Sequence, residues 1–163
     1  MLHCDNIPVL LLTGYLGSGK TTLLNRILTN RRGIRFAVIV NDIGEVNIDA
    51  ELIQKGGIVA QQDDNLVALQ NGCICCSLVG DFGKSLKEVL ERFSPDRVII
   101  EPSGVGKLSD VIKAVQDVQE DLPDAKLNSF STVVDVSKAA MYMKNFGEFF
   151  NNQVESAKTI ILS

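Results

Sequence analysis

Basic charge is scarce in this chain: its 163 residues carry 16 lysines and arginines against 20 aspartates and glutamates, a formal net charge of −4. Phosphate backbones are bound through a lysine and arginine footprint, so nucleic acid is not an expected partner. Long hydrophobic runs are lacking as well. No stretch approaches the roughly 20 apolar residues that cross a bilayer, and the N-terminus Met1-Leu2-His3-Cys4-Asp5-Asn6 has neither the basic region nor the cleavage site of a signal peptide. A cytoplasmic protein with no membrane partner is the expectation. Thiols stay reduced there, so the four cysteines, three of them crowded into 73–76, point to metal ligation or reactive thiols before disulfides. The only histidine, His3, stands in the N-terminal tail. What remains is 45% apolar and 22% charged, the make-up of one soluble globular domain over 1–163.

Apolar runs alternate with amphipathic stretches. A buried strand is expected over 7–13, ending at Gly14, followed by a helix from Thr21 with Leu23, Leu24, Ile27 and Leu28 on one stripe and a stop at Arg31-Arg32-Gly33. A second strand spans 34–40 and runs into the polar segment 41–49, at the strand end where ligands meet parallel sheets. The signal weakens over 50–71: 51–55 reads as one helical turn, and 58–60 and 66–70 as short strands. Val79, Phe82, Leu86, Val89, Leu90 and Phe93 follow helical spacing up to Ser94-Pro95-Asp96. A strand over 97–101, a helix carrying Leu108, Val111, Ile112, Val115 and Val118, and strands over 131–135 and 159–162 complete the pattern, the last two separated by a helical segment from Ser137 to about Asn145 and the 146–157 region. The expected fold is α/β: a mostly parallel sheet with helices on both faces, in the manner of phosphate-loop NTPases. A final strand that coincides with the chain end further points to truncation at the C-terminus.

Between the first strand and its helix lies Gly14-Tyr15-Leu16-Gly17-Ser18-Gly19-Lys20-Thr21. Four residues between Gly14 and Gly19-Lys20-Thr21 let successive N–H groups turn inward around an anion. Gly17 and Gly19 permit backbone angles and close approaches that side chains forbid, Lys20 reaches the outer phosphates, and the Thr21 hydroxyl can ligate Mg2+. The nucleotide-binding set is therefore Gly14, Gly17, Ser18, Gly19, Lys20, Thr21 and Thr22, joined by Gly104 from the loop after the third parallel strand. The plain alternative is a glycine-rich turn with an incidental lysine. Asp42 and Glu101 each follow an apolar strand and reach the same sheet edge, as acids serving magnesium or the attacking water must; the alternative is solvated strand-end acids. Gly104 and Gly106 are expected to make the loop after Glu101 mobile, able to sense the terminal phosphate.

Cys73, Cys75 and Cys76 form a compact thiolate group for zinc or a similar ion, provided the backbone turns near Cys75. Three ligands leave a coordination position open, which favours exchange of the ion over a closed structural site. His3 and Cys4 precede the first strand, about 20 Å from the phosphate-loop edge at about 3.3 Å per residue, and are not expected to supply the fourth ligand. A redox pair or a buried apolar cluster is the alternative.

Taken together, the phosphate loop at 14–21, Asn41-Asp42-Ile43-Gly44 through Ile48-Asp49, Asn71-Gly72-Cys73-Ile74-Cys75-Cys76 and Glu101-Pro102-Ser103-Gly104 resemble the CobW-type GTPases, metallochaperone relatives of the proteins that deliver nickel to hydrogenase and urease. The resemblance covers essentially the whole chain. It implies GTP hydrolysis coupled to loading or release of Zn2+, Co2+ or a similar ion. Lys20, Asp42 and Glu101 are then catalytic, Thr21, Asp42, Asp49 and Glu101 lie near magnesium or its waters, and the three cysteines hold the cargo. A client metalloprotein or cofactor-assembly enzyme is the implied partner. Ala68 stands where the family often carries a glutamate, which takes one acidic ligand off the expected set. The guanine-reading Asn-Lys-x-Asp element is expected just beyond Ser163, and the family's C-terminal domain is not in the chain. A nucleotide-dependent docking module with structural or redox cysteines is the rival function.

Overall fold

The computed structural model describes residues 6–30, 32–40, 53–55, 58–60, 66–70, 79–102, 104 and 106–163. Eight strands and five helices follow one another along the described residues: β1 (Ile7–Gly14), α1 (Lys20–Thr29), β2 (Phe36–Val40), β3 (Ile53–Lys55), β4 (Ile58–Ala60), β5 (Leu66–Gln70), α2 (Val79–Phe93), β6 (Arg97–Glu101), α3 (Leu108–Asp121), β7 (Ala125–Val134), α4 (Ala139–Asn145), α5 (Gly147–Ser156) and β8 (Thr159–Leu162). They build one sheet in the order β3-β4-β5-β2-β6-β1-β7-β8. From β5 to β8 all neighbours are parallel, while β4 and β3 add an antiparallel edge.

The short apolar runs are explained by helices on both faces of this sheet. Along β2 the side chains alternate: Ala37 and Ile39 join Val9, Leu11, Val98 and Ile100 beneath α2 and α3, while Phe36, Val38 and Val40 join Leu12, Ile99 and Val133 beneath Leu24 and Leu28 of α1. A third cluster, Tyr15, Val134 and Phe150, packs beside the carboxyl ends of β1 and β7. No helix among the described residues is long and apolar enough to cross a membrane.

Three expectations are corrected. Residues 53–55 form a strand where a helical turn was expected, because Ile53 and Lys55 pair with Ala60 and Ile58 of β4 and a single isolated turn has too few bonds to offset its nucleation cost. β7 begins at Ala125, six residues ahead of the expected strand over 131–135; its first part alternates weakly because the register with β1 shifts between Val9 and Leu10, leaving Asn128 as the extra residue. Helix α1 ends at Thr29 with Asn30 as its cap, before the expected Arg31-Arg32-Gly33 stop, and Arg26 is the cation in its last turn.

Candidate functional site

The carboxyl ends of the parallel strands form the working rim of the sheet. β1 delivers Gly14 there beside Val133 of β7, and β6 delivers Glu101 beside Val40 of β2. Between β1 and α1 the loop turns through Gly17 and Gly19 with φ of 73° and 98°, values that a side chain strongly disfavours. Ser18 N–H donates to the Tyr15 carbonyl at 3.1 Å, and helix α1 begins at Lys20. Leu16, Gly17, Ser18, Gly19, Lys20, Thr21 and Thr22 line a cavity of about 320 Å3. The Ser18 hydroxyl is buried and meets no partner among the described residues. A glycine-turned loop, a helix amino end and an unsatisfied buried hydroxyl make a cradle suited to an anion.

Glu101 follows Ile99 by two residues, so the strand's alternation turns it toward α1, where Lys20 starts. The Lys20 ammonium and the Glu101 carboxylate stand 4.0 Å apart with side chains 10% and 6% exposed. Burying two such charges is costly unless each has a function or a partner. Gly104 lies close to Lys20 and the phosphate loop: a Cβ there would come 3.1 Å from Lys20 Nζ, 3.1 Å from Leu16 Cδ2 and 3.0 Å from the Gly14 carbonyl oxygen. Its glycine is favoured by this close approach.

Gly14, Gly17, Ser18, Gly19, Lys20, Thr21, Thr22, Glu101 and Gly104 are thus brought to one rim. Asp42, Asp49, Cys73, Cys75 and Cys76, together with His3 and Cys4, lie outside the described residues. Among the described residues no group of three or more His, Cys, Asp or Glu side chains is gathered in a way that could hold a metal.

Several residues that brace this rim carry no motif. Tyr15, within the loop, packs against the rings of Tyr142, Phe146 and Phe150 at centroid distances of 4.7, 5.4 and 6.3 Å. Ser163 Oγ donates to the Ser18 carbonyl at 2.7 Å, tying the end of β8 to the loop. Gln153 of α5, 1% exposed, donates from Nε2 to the carbonyls of Gly104 and Gly106 at 2.8 and 2.9 Å. The expected mobility of that loop is therefore corrected at both glycines, whose carbonyls are held by a buried amide. The sequence offered one signal: Gln153 sits three residues after Phe150 on the inward stripe of a helix.

Comparison with known proteins rests on this geometry and on the sequence. The family model described as "CobW/HypB/UreG, nucleotide-binding domain" matches residues 8–163. The chain belongs to that family. A zinc chaperone CobW from Sinorhizobium is 35% identical over 137 residues, covering 82% of this chain and 38% of the relative. A zinc-regulated GTPase metalloprotein activator 1 from Dictyostelium discoideum is 38% identical over 145 residues, covering 82% of this chain and 30% of the relative. Among solved structures, Zn(II)-bound YjiA GTPase from E. coli superposes with a TM-score of 0.76 at 28% identity, covering 97% of this chain and 49% of that one. The chain thus spans between about a third and a half of the length of these CobW-family relatives.

Proposed function

We propose that this chain is the nucleotide-binding part of a GTP-hydrolysing metallochaperone that couples its nucleotide state to binding and transfer of a transition metal, zinc or cobalt, with a metalloprotein or cofactor-assembly enzyme as recipient. The observation that carries this reading is the buried Lys20–Glu101 pair at 4.0 Å, set between a glycine-turned loop and Gly104. The backbone amides of the loop and the amino end of α1 receive the phosphates, and Lys20 turns to the outer ones. Thr21 and Glu101, with Asp42 and Asp49 on sequence grounds, hold magnesium and its waters; when bound, that ion neutralises charge on the β- and γ-phosphate oxygens. Glu101 orients the attacking water and draws its proton. The water oxygen bonds to the γ-phosphorus as the bond to the β–γ bridging oxygen breaks, and the electron pair leaves with GDP. Guanine is the expected base because of the named GTPase relatives.

Cys73, Cys75 and Cys76 take the cargo ion as thiolates, with an open position for the recipient's ligand. Support comes from strand register: Gln70 of β5 aligns with Val40, and Val40 with Glu101. Two inter-strand spacings separate Gln70 from Glu101, about 10 Å, and a chain leaving Gln70 can cover about 10 Å by the third residue. Cargo and nucleotide are thereby able to share one rim, and any effect of one on the other's affinity must be matched in the reverse direction. Thiolate ligation also releases protons, so metal affinity rises with pH.

The test pairs two variants. Glu101→Gln should keep GDP affinity within about threefold while GTP turnover falls about 10²-fold, the usual loss of a general base. Cys73, Cys75 and Cys76 replaced together by serine should lose zinc while metal-free GTP turnover persists. Undiminished turnover in Glu101→Gln would remove this carboxylate from the mechanism, and retained zinc in the serine variant would remove the cysteines.

A further inference from the structure

We propose that Gln153 is a positioning residue for hydrolysis, a latch on α5 that holds the loop after Glu101 at a set distance from the phosphate loop. The inference rests on the GTPase reading above. Both hydrogens of its Nε2 are used, on the Gly104 and Gly106 carbonyls. These bonds fix the amide's orientation, because an exchanged amide would aim its oxygen at two carbonyl oxygens. The residue's own backbone carbonyl accepts from Thr132 Oγ1 at 2.7 Å, and Thr132 Oγ1 lies 2.9 Å from Thr13 Oγ1 on β1. A hydrogen-bonded path thus runs from the strand that feeds the phosphate loop, through β7 and α5, to the loop that follows Glu101.

Helix α5 grips both phosphate-facing loops within one turn. Phe150 packs on Tyr15 of the phosphate loop, and Gln153 holds Gly104. Gly104 in turn approaches Lys20 Nζ so closely that a methyl group there would lie 3.1 Å from it. The position of this loop therefore sets the space left open beside the lysine. The docking of α5 also rests on contacts that do not involve Gln153. Lys107 Nζ meets Glu148 at 2.8 Å, Ser109 N–H donates to Asn152 Oδ1 at 3.1 Å, and Asn152 Nδ2 donates to Ser109 Oγ at 2.9 Å. Three contacts by other residues secure the helix to the start of α3, which leaves the glutamine's two bonds to set the loop alone.

A purely structural glutamine would be replaceable by an apolar side chain of similar volume with a change in stability only. A latch would not. In Gln153→Met, GTP turnover (kcat) should fall about 10- to 100-fold, as two hydrogen bonds that orient the reacting groups are lost, while GDP affinity stays within about threefold. Amide hydrogen exchange in 104–107 should quicken about tenfold or more. Gln153→Asn, which keeps the amide but is one methylene too short to span both carbonyls, should show the same split and serves if the methionine variant folds poorly. Asp96→Asn, which loses bonds to Arg35 at the opposite end of the sheet, should lower thermal stability slightly and leave kcat within about twofold.

The two readouts separate the ideas. If the unaltered protein turns over no GTP, the GTPase reading fails, while exchange at 104–107 still decides whether the latch exists. If Gln153→Met loses stability with unchanged kcat per folded molecule and unchanged exchange in 104–107, the latch is wrong.

Discussion

Two loops face each other across the working rim, and they keep their shape by different means. The loop between β1 and α1 takes its turn from its own sequence, through glycines at φ of 73° and 98°, a Ser18-to-Tyr15 backbone bond and the start of a helix. It is braced from outside by Ser163 and by the rings packed on Tyr15. The loop after β6 borrows its hold from Gln153, 49 residues beyond Gly104. The first carries its turn in its own glycines and gains outside braces; the two glycine carbonyls of the second are held only from α5 among the described residues. The proposed function draws on that division, since the hold on the second loop consists of two hydrogen bonds that can be removed by substitution while the cradle keeps its turn.

Changes on the two sides should therefore differ in kind. The largest effect is expected from Lys20→Ala, which removes the cradle's cation and should weaken GTP and GDP binding about 10²- to 10³-fold, at about 1.5–3 kcal/mol per lost charge-assisted bond; calorimetric titration checks it, and unchanged affinity would deny the loop its role. On the facing side, Gly104→Ala should destabilise the fold by about 1–3 kcal/mol through the close contacts its methyl makes, with nucleotide affinity reduced as Lys20 is displaced; denaturant unfolding with and without GDP separates the two. The smallest effect concerns the opposite end of the sheet. There Arg35 donates to Asp96 from its main chain at 2.8 Å and from its guanidinium at 3.2 and 3.4 Å, and these bonds hold the Asp96 carboxyl below its ordinary value of 3.8. The folded form therefore prefers the carboxylate. That preference is present in full above pH 3.8 and fades as pH falls through the lower folded value. Asp96→Asn should cost less than about 1 kcal/mol at neutral pH, the range for a half-exposed pair, and should cost progressively less in acid, with nucleotide binding untouched.

The same contrast explains what the sequence disclosed. The phosphate loop, β6 and β8 follow from local pattern, because their glycines and apolar runs act over a few residues. Gln153, Thr132 and Ser163 do not, since each works through partners between 21 and 145 residues away. Mobility inferred from Gly104 and Gly106 failed for that reason: Gly104 is glycine so that Lys20 and Gly14 can approach, and its carbonyl is held from a distant helix. The early start of β7 was hidden by one extra residue at Asn128, which breaks the alternation that marks a strand. Family and fold were legible because the motifs at 14–21 and 101–104, and the spacing of Cys73, Cys75 and Cys76, survive in linear order.

The central claim is that cargo metal and nucleotide report on each other across this one rim. It is tested most directly by titrating Zn2+ into the protein in its nucleotide-free, GDP-bound and GTP-analogue-bound forms, with the reverse titration of each nucleotide into the metal-loaded protein. The account predicts zinc affinities that differ between the GDP and GTP-analogue forms by about 5- to 150-fold, the span of ordinary coupling energies, with the same factor recovered in the reverse direction. Equal zinc affinity in all three forms would contradict it.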